Sequence, residues 1–245
     1  MVELNQLLSL MNSRSEAAWR TALFDVADSL GFSSVMYAAL PSKHANIETS
    51  FLHSNYSPAW RQRYESEKLH YVDPTVQHCM TSVLPLVWQP EAFSRSEQLA
   101  LYEEADGHGI RSGITFPMHG CNGEAGLISF ASDMKPGPAF NAQLTHYMSE
   151  LSLLRDYAFE SSLPFMRAHT HAEPIPHLTR RELEVLKWVM AGKSSWEISR
   201  ITDCAEATVN FHISNIRQKF NVSTRQQALV KAIALGIISP EDPHR

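Results

Sequence analysis

Residues 178–236 carry a dense set of helix-start and helix-stop signals, and these constrain the fold more than any other stretch. Three pairs place a hydroxyl three residues before a carboxylate or an amide: Thr179 with Glu182, Ser194 with Glu197, and Ser223 with Gln226. This capping-box spacing satisfies the free backbone amides that open a helix. Gly192 stands where a left-handed glycine ends the first helix. We therefore expect four short helices, the third starting near residues 203–205 and running to Phe220.

The third helix has one apolar stripe and one polar side. The stripe recurs at four-three-four spacing: Val209, Ile213, Ile216 and Phe220. The other positions carry mostly amide, hydroxyl and cationic groups: Thr208, Asn210, Phe211, His212, Ser214, Asn215, Arg217, Gln218 and Lys219. Packed against the preceding short helix, such a helix could form a helix-turn-helix and contact bases in a DNA major groove. The periodicity fits equally well with a solvated helix in an ordinary bundle.

Motif detail separates these alternatives. The distinctive residues are Glu182, Leu186, the run 192–198 and the run 208–212. Through them the whole segment resembles the C-terminal DNA-binding domain of the LuxR family. That family commonly has a capping serine where this chain has Ala205, so Asp203 is the candidate cap here.

The resemblance implies that this domain binds double-stranded DNA. Asn210 and Ser214 are the candidates for reading base edges, and Phe211 either touches a thymine methyl group or packs on a neighbour. Lys193, Arg217 and Lys219 are the candidates for phosphate contact. Thr208 completes the candidate set.

Charge is distributed unevenly along the chain. The net charge is −5, but residues 174–245 hold ten Lys and Arg against seven Asp and Glu, whereas residues 1–173 hold eleven against nineteen. Residues 174–245 thus carry a net charge of +3, and residues 1–173 carry −8. A basic module joined to an acidic one fits nucleic acid binding at one end only.

Residues 167–177 are predicted to be a linker between a domain of residues 1–166 and a domain of residues 178–245. Pro174 and Pro176 oppose helix continuation, and the stretch has no apolar periodicity. His169 and His171 could suggest a metal site, but no third ligand or carboxylate pattern accompanies them, so no metal is expected.

Cysteine use and hydropathy point to the cytoplasm. The three cysteines, Cys79, Cys121 and Cys204, show no CxxC spacing, which is typical of free thiols in a reducing compartment. No run of eighteen apolar residues is present, and the first residues lack the basic region of a signal peptide. We expect no membrane partner.

The first 166 residues alternate helical and extended patterns. Helices are expected at 16–30, from Pro58, from Pro74, at 96–107 and at 140–161. Extended segments are expected at 33–40, 47–54, 84–88, 114–118 and 126–131, the last two forming a hairpin across the turn 120–123. This order predicts an α+β fold, an α/β/α sandwich with an antiparallel sheet, followed by the four-helix helix-turn-helix domain.

Aromatic residues surround the first proline-started helix. Trp60 and Tyr64 share a helix face, and Tyr56 lies close by. They suit an apolar pocket that also needs directional hydrogen bonds, or ordinary core packing. Asp73 is likewise either a polar contact in such a pocket or only the N-cap of the next helix.

A second resemblance bears on these choices. Its residues are Asn55, Tyr56, the run 59–61, Tyr64, the run 72–76, His78, Cys79, the run 82–85, Trp88, Gly113 and Ser129. Through them residues 1–166 look like the autoinducer-binding domain of LuxR-type quorum-sensing receptors. The resemblance implies an N-acyl homoserine lactone as ligand, with no other cofactor.

The resemblance also implies roles for the polar residues. Trp60 would donate its indole N–H to the lactone carbonyl, and Asp73 would accept the amide N–H. Tyr56 and Ser129 would donate to the amide carbonyl, Thr75 would position Asp73, and Arg61 would reach a 3-oxo group through water. Tyr64, Trp88 and Thr115 complete the polar and aromatic set.

The acyl tail is expected to be long. Candidate tail contacts are Met36, Leu40, Leu52, Val76, Cys79, Ala125, Gly126 and Leu127. Small residues, Ala38 among them, would leave room for a long chain. At about 0.8 kcal/mol per buried methylene, a twelve-carbon chain offers roughly 8 kcal/mol against about 3 for a six-carbon one. We expect the N-3-oxododecanoyl ligand.

The expected function is ligand-dependent transcriptional activation in quorum sensing. Ligand would stabilise the first domain, allow a homodimer to form partly through the helix at 140–161, and present two recognition helices to a near-palindromic site, with RNA polymerase as a further partner. Two alternatives lack their sequence features. A response regulator needs a receiver domain with acidic strand ends, and a lactone hydrolase needs a metal or nucleophile constellation.

Overall fold

The computed structural model describes residues 2–169 and 176–239, which form an N-terminal α+β unit and a C-terminal all-helical unit. Most of the predicted linker, including His171 and Pro174, lies outside the described residues. Residues 167–169, which we expected to belong to the linker, are the last turn of a helix instead.

The described N-terminal unit contains the helices α1 (Leu4–Met11), α2 (Glu16–Ser29), α3 (Pro58–Ser66), α4 (Pro74–Thr81), α5 (Ser96–Asp106) and α6 (Pro138–His169). The side chains of Ser57 and Asp73 accept backbone N–H groups at the starts of α3 and α4. Proline follows each cap, where a missing N–H costs nothing. The two predicted proline-started helices are thus confirmed.

Five strands form one antiparallel sheet in the order β2-β1-β5-β4-β3: β1 (Ser34–Leu40), β2 (Phe51–Ser54), β3 (Leu86–Val87), β4 (Ser112–His119) and β5 (Ala125–Ser132). The predicted hairpin is β4–β5, whose turn is closed by the Gly120 N–H donating to the Glu124 carbonyl at 2.9 Å.

Strand alternation gives the sheet two different faces. On β1, Val35, Tyr37 and Ala39 are buried in the core that includes side chains of α1, α2 and α6. Met36 and Ala38 point to the other side, which α3, α4 and α5 cover. Because helices cover both faces, the predicted α/β/α sandwich is confirmed.

Three N-terminal elements differ from the predictions. Residues 47–49 form a 3₁₀ turn and not a strand, because the Asn46 side chain accepts the Glu48 N–H and curls the chain. Helix α6 extends eight residues past its predicted end, since its apolar stripe continues through Leu163 and Met166 into the same core. Helix α1 was not predicted, because its two buried leucines are too few to establish a period.

The C-terminal unit contains α7 (Arg180–Met190), α8 (Ser195–Ile201), α9 (Glu206–Lys219) and α10 (Arg225–Ala234). The first two capping boxes are confirmed, and Gly192 has the left-handed φ of 79° expected after a helix. The third prediction was wrong by one residue. The capping pair of α10 is Thr224 with Gln227, and Gln227 also accepts the Ser223 N–H, so the helix starts later.

Helix α9 starts without a side-chain cap. Ala205 is its N-cap residue and provides no side-chain acceptor. Asp203, expected as the alternative cap, is wrong for that role, because it adopts a left-handed φ of 51° in the preceding turn. The apolar stripe is confirmed, with Val209, Ile216 and Phe220 buried in the C-terminal core.

No helix within residues 2–169 and 176–239 combines the length and the apolar character needed to cross a membrane.

Candidate ligand cavity and DNA-binding surface

A cavity of about 460 Å³ lies in the N-terminal unit, on the side of the sheet that α3, α4 and α5 cover. Its size falls within the ordinary range for small-molecule sites. Fourteen of the predicted ligand residues line it: Met36, Leu40, Leu52, Tyr56, Trp60, Arg61, Tyr64, Asp73, Thr75, Val76, Trp88, Gly126, Leu127 and Ser129. The structure therefore brings strand, helix and loop residues that are far apart in sequence around one space.

Asp73 combines the two roles considered for it. One carboxylate oxygen, Oδ1, accepts the Thr75 backbone N–H at 2.8 Å and the Thr75 hydroxyl at 2.7 Å, which caps α4. The other, Oδ2, accepts the Tyr64 hydroxyl at 2.7 Å. Burial raises the pKa of Asp73, and the hydrogen bonds from Thr75 and Tyr64 partly oppose that shift. A carboxylate oxygen has two lone pairs, so Asp73 can accept a further N–H from the cavity.

Tyr56 brings an unused donor into the same space. Its hydroxyl is buried and has no hydrogen-bond partner in the described part of the chain. Burial and the charge of Asp73 raise the pKa of Tyr56, so the phenol keeps its proton. A buried donor without a partner is costly, and a ligand carbonyl would satisfy it.

Arg61 is held by another residue of the cavity wall. Its Nη2 pairs with the Glu65 carboxylate one turn along α3, while its Nε is buried without a partner among the described residues. This N–H remains able to donate toward the cavity.

Trp88 is fixed by its own hydrogen bond. Its indole N–H donates to the Thr115 hydroxyl at 2.8 Å, and that oxygen lies 2.8 Å from the Ser129 hydroxyl. Gly113 makes room for the ring, since a Cβ there would lie 2.7 Å from a Trp88 ring atom and 2.8 Å from the Phe130 carbonyl oxygen. The glycine is therefore required by close packing of the cavity wall.

Three predicted ligand residues do not line the cavity. Thr115 lies behind Trp88 and Ser129, with its hydroxyl occupied by both. Cys79 is fully buried on α4, whose lining residues are Thr75, Val76 and Met80, and burial raises the pKa of the Cys79 thiol to about 12. Ala125 is buried at the first position of β5, opposite Leu40, and does not contribute to the cavity wall.

Other lining residues were not predicted: Ile47, Glu48, Ser50, Glu65, His70, Met80, Phe93, Leu101, Tyr102, Ala105 and Ile110. The helical spacing of Leu101 and Ala105 on α5 was available as a signal. Nothing in the local pattern indicated that the 3₁₀ turn at Ile47–Thr49 would fold against the cavity.

The C-terminal unit presents an exposed polar face on α9. Thr208, Asn210 and Ser214 are exposed, and Phe211 exposes 61% of its surface. The exposed ring of Phe211 is available to a partner and is not part of the C-terminal core. Helix α8 packs against α9, so the pair has the arrangement of a helix-turn-helix.

The cationic residues of this surface differ in their surroundings. Lys219 Nζ lies 2.6 Å from the Glu182 carboxylate, which is 3% exposed, and 3.0 Å from the His177 carbonyl oxygen. Burial would raise the pKa of Glu182, but hydrogen bonds from Lys219 and Thr179 outweigh burial and hold it below its usual value. Lys193 makes only an exposed pair with Glu197 at 3.3 Å. Lys219 therefore neutralises a buried carboxylate of its own domain, whereas the partner of Lys193 is exposed to solvent.

Known families match both units. Residues 15–162 match the family described as "Autoinducer binding domain", and residues 176–232 match "Bacterial regulatory proteins, luxR family". The transcriptional activator VanR of Vibrio anguillarum is 36% identical over 76% of this chain and 76% of its own length. AnoR of Acinetobacter nosocomialis, also named a transcriptional activator, is 34% identical over 88% of this chain and 92% of its length.

The chain belongs to the LuxR family. Solved structures agree with this assignment. Escherichia coli SdiA superposes with a TM-score of 0.74 at 25% identity, over 96% of this chain and 97% of SdiA. A complex of SdiA with octanoyl-rac-glycerol gives a TM-score of 0.73, over 95% of this chain and 93% of that one. This LuxR-family chain is thus a transcriptional regulator with an autoinducer-binding domain and a helix-turn-helix domain.

Within residues 2–169 and 176–239, no three His, Cys, Asp or Glu side chains are placed to hold a metal ion together. His171 falls outside these ranges.

Proposed function

We propose that this LuxR-family regulator is a quorum-sensing activator controlled by a long-chain N-acyl homoserine lactone, with N-3-oxododecanoyl homoserine lactone as its ligand. The observation that carries the proposal is the polar set inside an otherwise apolar cavity. A half-buried acceptor, Asp73, lies in the same cavity wall as the buried, unpartnered hydroxyl of Tyr56. An acyl amide supplies one N–H and one carbonyl, which matches that pair.

The head group would use the residues between the sheet and α3. The amide N–H donates to Asp73, which Thr75 and Tyr64 hold in place. Tyr56 and Ser129 donate to the amide carbonyl, and Trp60 donates to the lactone carbonyl. Arg61 reaches the 3-oxo group through water.

The tail would use the apolar wall formed by the strands and α4. Its side chains are Met36, Leu40, Leu52, Val76 and Leu127. Ala38 and Gly126 leave space beside them. No residue with a Cβ fits at position 126, because that atom would collide with the Ala38 carbonyl oxygen. Burial at about 0.8 kcal/mol per methylene favours a chain of about twelve carbons over a short one.

A solved relative supports an acyl tail in this fold. SdiA has been solved with octanoyl-rac-glycerol, a ligand that joins an acyl chain to a polar head. The regulator described here would enclose a chain of the same chemical class.

Ligand binding would control DNA binding through stability and dimerisation. A ligand buried in the native fold stabilises that fold by RT ln(1 + [L]/Kd). Two chains then pair, partly through α6, and present two α9 helices about 10 base pairs apart to a near-palindromic promoter site. The dimer recruits RNA polymerase in the cytoplasm, with residues 1–166 as the sensing domain and residues 178–245 as the DNA-binding domain.

Thermal unfolding of the full chain tests the proposal. A hundredfold excess of ligand over its Kd stabilises a native state by about 2.7 kcal/mol. We therefore expect the twelve-carbon 3-oxo ligand to raise the melting temperature of the N-terminal unit and the yield of soluble protein on expression. The butanoyl ligand at the same concentration should do neither. Equal effects of the two ligands, or none from either, would reject the proposal.

A further inference from the structure

The entrance of the cavity can be located from exposure. Among the described residues that line the cavity, only Glu48 and Glu65 are exposed, and the others are half-buried or buried. Glu48 belongs to the 3₁₀ turn Ile47–Thr49, and Glu65 to the last turn of α3. The cavity therefore reaches solvent between these two segments.

Both glutamates at the entrance are ion-paired, but in different ways. Glu65 pairs with Arg61 of the same helix, so that contact joins nothing across the opening. Glu48 pairs with Lys68, which follows α3, with 2.6 Å between Nζ and Oε1. The hydrogen bond and the charge of Lys68 hold the pKa of Glu48 below its usual value, so the pair is ionised at neutral pH.

Lys68 also has an uncommon backbone conformation. Lys68 has φ 52° and ψ 42°, the left-handed conformation that side chains other than glycine adopt rarely. It directly precedes the 3₁₀ turn Leu69–Tyr71, which contributes His70 to the cavity wall. The Glu48–Lys68 pair thus joins two turns that both line the cavity.

We propose that ligand enters and leaves between these two turns, and that the Glu48–Lys68 ion pair is a latch that sets the rate of passage. The inference rests on the proposed function, because it takes the acyl homoserine lactone as the molecule that passes. Opening requires separating the two charges. A latch slows passage in both directions, so the rate constants for association and dissociation should change together while the Kd changes little. A residue that merely contacted bound ligand would change dissociation alone.

Ligand exchange by the full-length protein tests the latch. Protein is loaded with isotope-labelled N-3-oxododecanoyl homoserine lactone, chased with unlabelled ligand, and the retained label is measured over time. Association is followed separately by mixing. In E48Q and in K68Q we expect both rate constants to rise about two- to fivefold, the size of effect that an exposed ion pair supports. The charge-swapped E48K/K68E variant should return both to within about twofold of the parent.

Salt and a matched pair provide controls. At about 1 M salt the Debye length is about 3 Å, so the ion pair is largely screened. Under these conditions the parent should exchange ligand as fast as E48Q. The exchange rate of E48Q itself should change little with salt. The Arg111–Asp106 pair has the same 2.6 Å separation and similar exposure but lines no part of the cavity. D106N should exchange ligand at the parental rate.

The outcomes separate the two proposals. If the parent retains the ligand but E48Q and K68Q exchange it at the parental rate, or change only one of the two rate constants, the latch is rejected and the proposed function stands. The latch is also rejected if the E48K/K68E variant does not return both rate constants to within about twofold of the parent. If the parent retains no labelled ligand under any condition, both are rejected.

Discussion

Asp73 shows how one side chain can cap a helix and line a cavity at the same time. It caps α4 through Thr75, and it receives the Tyr64 hydroxyl from α3. The same contacts aim the carboxylate at the cavity and keep it from rotating. Partial removal from solvent disfavours the charged form of the Asp73 carboxyl and raises its pKa. An N–H donated by a ligand would offset this cost.

Replacing Asp73 should therefore be worse than removing one of its partners. D73N puts an amide NH₂ where an acceptor is needed, so either the ligand N–H or the Tyr64 hydroxyl faces a donor. We expect a loss of about 1–3 kcal/mol in ligand binding. Y64F removes one hydrogen bond and should cost about 1 kcal/mol. Titration of a reporter or of purified protein with the twelve-carbon ligand measures both, and a larger loss in Y64F than in D73N would contradict this assignment.

At the scale of the element, α9 has some side chains that contact its own domain and others that are exposed to solvent. Lys219 neutralises the buried Glu182 of α7, whereas Asn210 and Ser214 face outward. We had expected Lys219 to contact phosphate, but its surroundings indicate a stabilising role.

The K219M variant distinguishes these roles. It leaves the buried Glu182 carboxylate without its cation, which should cost about 1–3 kcal/mol of domain stability, less than for a fully buried pair. In the double variant E182Q/K219M no buried charge remains and the Thr179 cap persists, so we expect much of the stability and the DNA affinity to return. Chemical denaturation and DNA titration check this. A phosphate contact predicts that DNA affinity is lost equally in both variants.

Asn210 should determine sequence preference. An amide reading a base edge is worth about 1–3 kcal/mol of discrimination against the wrong base, so N210A should weaken the preferred site and relax preference at one position. K193A is the comparison. Loss of a phosphate contact should weaken binding to all DNA sequences alike, and it should lower the slope of log K against log salt concentration by about one. Binding selections with a randomised site would contradict the assignment if N210A kept the parental preference.

Local signals predicted the elements well where a cap or a proline fixed the start of a helix, as at Ser57, Asp73, Thr179 and Ser194. They failed where two neighbouring residues could both cap, as at Ser223 and Thr224. They also failed at residues 47–49, where extended composition competes with an Asn46 side chain that closes a turn.

For the whole molecule, the family resemblance indicated the cavity and most of its wall, and periodicity alone did not. The turns with Glu48 and His70 escaped prediction because their place depends on tertiary packing across the sheet. Leu101 and Ala105 on α5 were missed although their helical spacing was a usable signal. Thr115 was misplaced for a related reason: a residue on the correct face can still be covered by a larger neighbour, here Trp88.

The central claim concerns the whole molecule: a long acyl chain enclosed by the N-terminal unit controls what the C-terminal unit can bind. Mass spectrometry of small molecules that co-purify with the full chain tests it most directly, using cells fed an equal mixture of acyl homoserine lactones from four to fourteen carbons. We expect one ligand per chain, enriched in the 3-oxo compound near twelve carbons, and loss of that ligand in D73N. Recovery of no lactone, or of short and long lactones in equal amounts, would contradict the account.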